Sequence, residues 1–148
     1  MKDIIEEVDG VVVECNTAYE GARNTTAKHQ KLMQEHGWNK YYQVDIMDSE
    51  DDITLEIPNG KIIKKDYVGT NLNNYKSMLV LSHFKGHPMG GFGGALKQLS
   101  IGVASSSDKG KDHLIERIES RNSNHIIEAA ANLKFGTKDY ELINIDNI

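Results

Sequence analysis

His83, Lys85, His87 and Lys97 bracket Gly90, Gly91, Gly93 and Gly94 in the segment SHFKGHPMGGFGGALKQLSIG, residues 82–102. Imidazoles exchange protons near neutral pH, and a lysine holds an anion or, when desolvated, attacks a carbonyl. Glycines let the backbone come close to a ligand, and a helix starting after them offers unpaired N–H groups and a positive dipole end. These residue types suit an anionic small molecule or cofactor. His83, His87 and Lys97 are the candidate catalytic groups, and Lys85 with the amides of Gly90, Gly91, Gly93 and Gly94 is the candidate cradle. The competing reading is a tight glycine turn with its histidines and lysines in solvent. The loop is not a Walker A loop, since no Gly-Lys-Ser/Thr follows, nor the dinucleotide G-x-G-x-x-G, because Leu96 stands where the third glycine belongs. His83 and His87 would form a metal pair on a helix, but Gly86 and Pro88 disfavour a helix there, and no metal site is expected.

A second polar cluster is ECNTAYEGARN, residues 14–24, directly after an apolar run. If the two preceding strands are parallel neighbours, Asn16, Thr17, Tyr19, Arg23 and His29 reach the same sheet edge as His83 and His87. Asn16 and Arg23 then add an amide and a guanidinium clamp to the anion site. Cys15 reads as a small buried hydrophobe, since no partner accompanies it. The run SEDD at residues 49–52 reads as a solvated loop, and His36, Trp38, His113 and His125 carry no pattern beyond helix faces.

The elements that must position these groups alternate between strand and helix. Val11-Val12-Val13 is short, β-branched and strand-like. AKHQKLMQEHGW reads as a helix capped by Thr25 or Thr26 and stopped by Gly37, and YYQVDIM as a second strand. Ile53, Leu55 and Ile57 alternate with polar residues, then Pro58-Asn59-Gly60 precedes KIIKKDYV, the pattern of a β-hairpin. SMLVLSHF, residues 77–84, is the most apolar run and fits a central strand covered on both faces. A helix is expected around Ala95 to Leu99, helical segments around Leu114 to Ile118 and Asn124 to Leu133, and a closing strand at YELINI. The fold class is therefore α/β: a mostly parallel sheet flanked by helices, with an inserted β-hairpin near residues 53–68, in a single domain over residues 1–148.

Length and charge remove other classes. A chain of 148 residues buries a real core without staples, and its single cysteine excludes an intrachain disulfide and any cysteine-ligated cluster of its own. With 22 acidic against 17 basic residues, the net charge is −5, which offers no broad footprint for nucleic acid or anionic lipid. No apolar run approaches a membrane span and MKDIIEEVDG lacks a signal-like apolar stretch, so the chain reads as cytoplasmic, with no membrane partner.

SHFKGHPMGGFGGALKQLSIGVASSSDKGK resembles the signature of the DUF362 family of domains of unknown function, whose members are described as iron–sulfur centre proteins. NTAYEGARNTTAKHQ is similar to the family's Asn-Thr-x-Tyr-x-Gly-x-Arg segment, and INIDN to the strand before its cysteine-rich tail. Gln98, Ser100 and Cys15 depart from the usual Asn, Gly and Asp. The resemblance implies a central portion of a larger redox protein. An iron–sulfur cluster would then lie in the full-length parent and none in this chain, with a ferredoxin-like segment or another electron-transfer partner beside it. A fainter similarity joins His87, Lys97 and His113 to the His, Gly-Gly-x-Lys and His elements of the nickel-pincer lactate racemases, in which such a lysine holds a pyridinium-derived cofactor. A non-catalytic docking domain is the remaining alternative.

Overall fold

The structure is a computed structural model that describes residues 2–58, 64–87 and 91–107. Helix α1 spans Lys2–Glu7, strand β1 Val12–Glu14, helix α2 Thr26–Glu35, strand β2 Val44–Ile46, strands β3 and β4 Asp52–Glu56 and Lys65–Gly69, strands β5 and β6 Gly86–His87 and Gly91–Phe92, and helix α3 Gly94–Ile101. Two 3-10 turns, Trp38–Lys40 and Thr70–Asn74, complete the described elements. None of the described helices is long and apolar enough to cross a membrane.

Local chemistry accounts for α2. The Thr25 hydroxyl accepts the Lys28 N–H at 3.4 Å, satisfying one of the donors that a helix start leaves open. At the other end Gly37 takes φ +75, a left-handed position that glycine adopts without a Cβ clash, and the helix stops there. His29 and Met33, four residues apart, form the buried face of α2. The sequence did not announce α1, a single exposed turn and a half with one Lys2–Glu6 ion pair at 3.5 Å.

Strands β1 and β2 pair in parallel with Val12, Val13 and Glu14 opposite Val44, Asp45 and Ile46. The expected hairpin is present: β3 and β4 pair antiparallel from Asp52↔Gly69 to Glu56↔Lys65, and the Ile57 N–H extends the ladder to the Lys64 carbonyl at 2.8 Å. The turn at Asn59 and Gly60 lies outside the described residues. Strands β5 and β6 form a third small ladder, also antiparallel. The chain thus mixes helices with small sheets, and one of its three described ladders is parallel.

Cys15, Met47, Val68, Leu72, Leu99 and Val103 form the core, with Val13, Ile53, Leu55, Tyr75, Met78 and Val80 packed against it. Each fully buried side chain of the size of Val68 or Met47 stabilises the fold by roughly 1.5–3 kcal/mol. The hairpin meets the end of β2 at Gly69, where an added Cβ would collide with the Met47 carbonyl group and the Asp48 nitrogen.

Residues 77–84 differ from the central strand expected there, since they join no ladder among the described residues. Met78 and Val80 pack on the core while Leu79 and Leu81 are exposed, so the alternation of an extended segment persists with one covered face. The helical segments and closing strand expected after residue 107 lie outside the described residues.

Candidate functional site

The glycine-rich segment folds as a short hairpin leading into α3. Gly86 pairs with Phe92 and His87 with Gly91, and the Gly93 N–H donates to the Lys85 carbonyl at 2.9 Å. Gly94 takes φ +63, which requires glycine, and opens α3. The Gly93 amide is therefore committed to the hairpin, and it is from Gly94 onward that α3 presents unpaired N–H groups.

Lys97 sits in the first turn of α3 and is half-buried. Its burial, and next the charge of Lys85, hold its ammonium below the ordinary lysine range. Among the described residues, neither Lys85 nor Lys97 forms an ion pair. The Ser82 hydroxyl donates to Gln98 Oε1 at 2.8 Å, tying the segment before β5 to α3. Lys85, Gly93, Gly94 and Lys97 are thus gathered at one end of α3. His83 is exposed beside them, His87 lies in β5, Gly91 in β6, and Gly90 lies outside the described residues.

A second assembly occupies the carboxyl ends of β1 and β2. The Met47 N–H reaches the Glu14 carbonyl at 2.8 Å, and beyond it the Asn16 N–H donates to Asp48 Oδ1 at 2.9 Å. Asp48 Oδ2 accepts both the backbone N–H of Ser106 at 2.9 Å and its hydroxyl at 2.8 Å. The Asn16 amide nitrogen donates to Thr26 Oγ1 at 3.1 Å, so its oxygen faces His29 Nδ1 at 3.3 Å. That oxygen can only accept, which places the imidazole proton on Nδ1 and leaves Nε2 as a lone pair. Nε2 is buried and has no hydrogen-bond partner among the described residues. Burial, then the charge of Arg23, push the His29 pKa down, against a smaller opposing pull from Asp48.

Asn16 is therefore a structural member of this network. Arg23 pairs with Glu14 at 3.7 Å, while burial raises the Glu14 carboxyl above its ordinary range. No described hydrogen bond links Asn16 or Arg23 to Lys85 or Lys97. Cys15 is buried, and burial followed by Asp48, Glu14 and Asp45 raises its thiol well above the ordinary range, as suits a core residue and not a nucleophile.

Sequence reasoning missed the acceptors of this region. Asp52 was expected in a solvated loop, yet it begins β3 half-buried and accepts from the Ser105 hydroxyl at 3.5 Å and from the Ser107 hydroxyl. Ala104 bridges to Val68, and the Ser105 N–H donates to the Tyr67 carbonyl at 2.9 Å, so residues 104–105 run alongside β4. Asp45 accepts from Asn71 Nδ2 at 2.9 Å and from the Tyr75 hydroxyl at 2.6 Å. The family model described as Domain of unknown function (DUF362) matches residues 1–148. No curated protein and no solved structure matches the chain.

Proposed function

Since the chain belongs to the DUF362 family, we propose that it binds an anionic small molecule or cofactor where Lys85, Lys97 and the start of α3 meet. The observation that carries this reading is that the Gly93 N–H on the Lys85 carbonyl brings residue 85 to the start of α3, whose first turn holds the half-buried Lys97, with no carboxylate on either lysine among the described residues. Two like charges held together raise each other's free energy, and a carboxylate or phosphate between them would relieve it. The N–H groups from Gly94 onward would hold its oxygens, and His83 or His87 would exchange a proton with it. Gly91, in β6, would stand beside the ligand, with the Gly93 N–H spent on the Lys85 carbonyl.

The rest of the reading rests on the family resemblance. In it the chain is the α/β portion of a longer cytoplasmic redox protein, its sheet becomes mostly parallel with strands beyond those described, and its electron partner is a ferredoxin-like segment. A four-iron cluster takes four thiolates, and one buried cysteine does not fit that need, so the cluster would be held by other residues of the parent. Leu79 and Leu81, exposed by 50% and 37% on one side of their segment, favour a second reading in which this face docks another subunit.

Isothermal titration of the wild type, Lys97→Ala and His87→Ala against lactate, pyruvate, inorganic phosphate and AMP tests the site. Binding of at least one anion that falls tenfold or more in Lys97→Ala is expected. Equal binding by all three proteins across the panel removes the assignment.

A further inference from the structure

Strand β2 has one paired edge among the described residues. Along it and its flanks the Gln43 carbonyl accepts from the Val12 N–H at 2.9 Å, and the Met47 N–H donates to the Glu14 carbonyl at 2.8 Å. Backbone groups alternate sides along a strand, so Val44 and Ile46, in register with Val12 and Glu14, turn theirs to the outer edge. There the Ile46 carbonyl takes the Ser49 N–H at 2.9 Å. The Val44 N–H, the Val44 carbonyl and the Ile46 N–H make no hydrogen bond among the described residues.

A cleft of about 320 Å³ follows this outer edge. Val44, Asp45 and Ile46 all line it, and so does Ser49, whose own N–H is seated on the outer side of Ile46. The facing wall is α2, where Gln30, Met33 and Gln34, spaced i, i+3 and i+4, form one stripe of the helix. Met33 and Ile46 are buried, while the carboxamides of Gln30, Gln34 and Asn39 are exposed, so neutral polar groups dominate the opening. No cation lines the cleft among the described residues, and the Asp45 carboxylate is turned to the opposite face of β2, where Asn71 and Tyr75 hold it.

A neutral cleft with backbone donors and an acceptor at strand spacing matches a ligand that repeats the same groups along a line. An extended peptide main chain does so, and a sugar or a nucleobase does not. Beyond Ser49 the chain continues into Glu50 and Asp51, both exposed and neither in an ion pair among the described residues. A cation at the end of the peptide that meets this loop is its electrostatic complement.

We propose that the cleft between α2 and the outer edge of β2 binds an extended peptide segment by strand addition, reading its main chain and favouring a basic residue at the end near Glu50 and Asp51. The Val44 N–H, the Val44 carbonyl and the Ile46 N–H would form three main-chain hydrogen bonds with it, and the Gln30 and Gln34 carboxamides stand opposite to receive uncharged side chains.

Titrating ¹⁵N-labelled protein with the peptide Ac-Lys-Thr-Val-Thr-Val-Lys-NH2 should give saturable amide shifts at Gln34, Val44 and Ile46, and should slow hydrogen exchange of the Val44 N–H. Strand addition uses one edge of the peptide, so N-methylation of its two Thr residues should leave binding in place, while N-methylation of every residue should abolish it. The counterpart with Glu at both ends should bind at least threefold more weakly. Val44→Pro removes an outward N–H and spares the bonds to β1, and should weaken binding about tenfold. Gln34→Lys, at an exposed helix position, should repel the basic peptide and weaken it at least threefold. The proposal is overturned if no shifts saturate at the cleft, if the fully N-methylated peptide binds as the unmodified one does, if the Glu peptide binds as tightly as the Lys peptide, or if the folded Gln34→Lys protein binds as the wild type does. Shifts at Val44 that grow with protein concentration in the absence of peptide would assign the edge to a second copy of the chain and overturn it too.

Discussion

Asp48 Oδ1 accepts the backbone N–H of Asn16 at 2.9 Å, across 32 residues of chain, and so closes the open end of the β1–β2 ladder. The other oxygen of the same carboxylate holds Ser106 by two bonds. Hydrogen bonds to a charged acceptor contribute about 1.5–3 kcal/mol each, and losing several leaves partly buried donors unpaired. Asp48→Ala is therefore expected to cost about 2–4 kcal/mol in urea unfolding. Asp48→Asn should also destabilise, because its amide nitrogen cannot accept from Ser106. An unchanged urea midpoint in both variants would show that the strand ends do not depend on this carboxylate.

His29 predicts a pH dependence with a definite sign. Its folded pKa lies below the ordinary 6.5, chiefly because burial disfavours the imidazolium. Above about 6.5 the ring is neutral in both states and its contribution is fully present. As the pH falls below that value the unfolded chain takes the proton first, and stability declines toward the folded pKa. Glu14, raised from 4.5 by burial, contributes with the opposite sign. Urea midpoints between pH 7.5 and 5.5 should fall in the wild type and fall less in His29→Gln. Parallel profiles for the two proteins would remove His29 as the titrating group.

Lys85 should control the basicity of Lys97. Burial is the larger cause of the lowered Lys97 pKa and remains in any Lys85 variant, while the like charge does not. Reductive ¹³C-methylation followed by NMR titration should show Lys97 titrating higher in Lys85→Ala than in the wild type, and higher again in Lys85→Glu. Saturating phosphate should move the wild-type resonance in the same direction if the anion sits between the two. A Lys97 resonance insensitive to residue 85 would place the lysines too far apart for the site.

Gly69 is required for close approach and not for its backbone angle, since its φ of −61 is open to any residue. A methyl group there would strike the backbone of Met47 and Asp48, and backbone cannot swing aside as a flexible side chain does. Overpacking of this kind costs about 1–3 kcal/mol or more. Gly69→Ala should lower the thermal midpoint and disturb the amide resonances of both residues. Wild-type stability would mean that the hairpin separates from β2 at little cost.

The elements that were legible in the sequence are those whose causes are local. Thr25, the His29–Met33 face and Gly37 together announced α2, and the alternation of Ile53, Leu55 and Ile57 announced the hairpin. The glycines at 93 and 94 marked the start of α3. What escaped was set by distant partners: Asp48 gains its role from Ser106, 58 residues later, and Asp45 from Tyr75, 30 residues later. No spacing rule connects such pairs. In the acidic run at 49–52, Glu50 and Asp51 are exposed in a loop as expected, and only Asp52 departs, because a charge count does not reveal that Ser105 and Ser107 hydroxyls will arrive there. Of the glycine loop, the residue types were visible, but the commitment of the Gly93 N–H to Lys85 emerged only from the hairpin itself.

The seating of Ser106 on Asp48 also governs how the chain can be divided. A recombinant piece ending before Ser106 strips two donors from a half-buried carboxylate, and one ending before Ala104 also detaches the segment bridged to Val68. A fusion joint, affinity tag or protease site placed between residues 103 and 107 would pry at the same clasp. A portion that keeps these contacts therefore has to run through Ser107, which makes a short serine stretch the natural fence post for anyone cutting this protein.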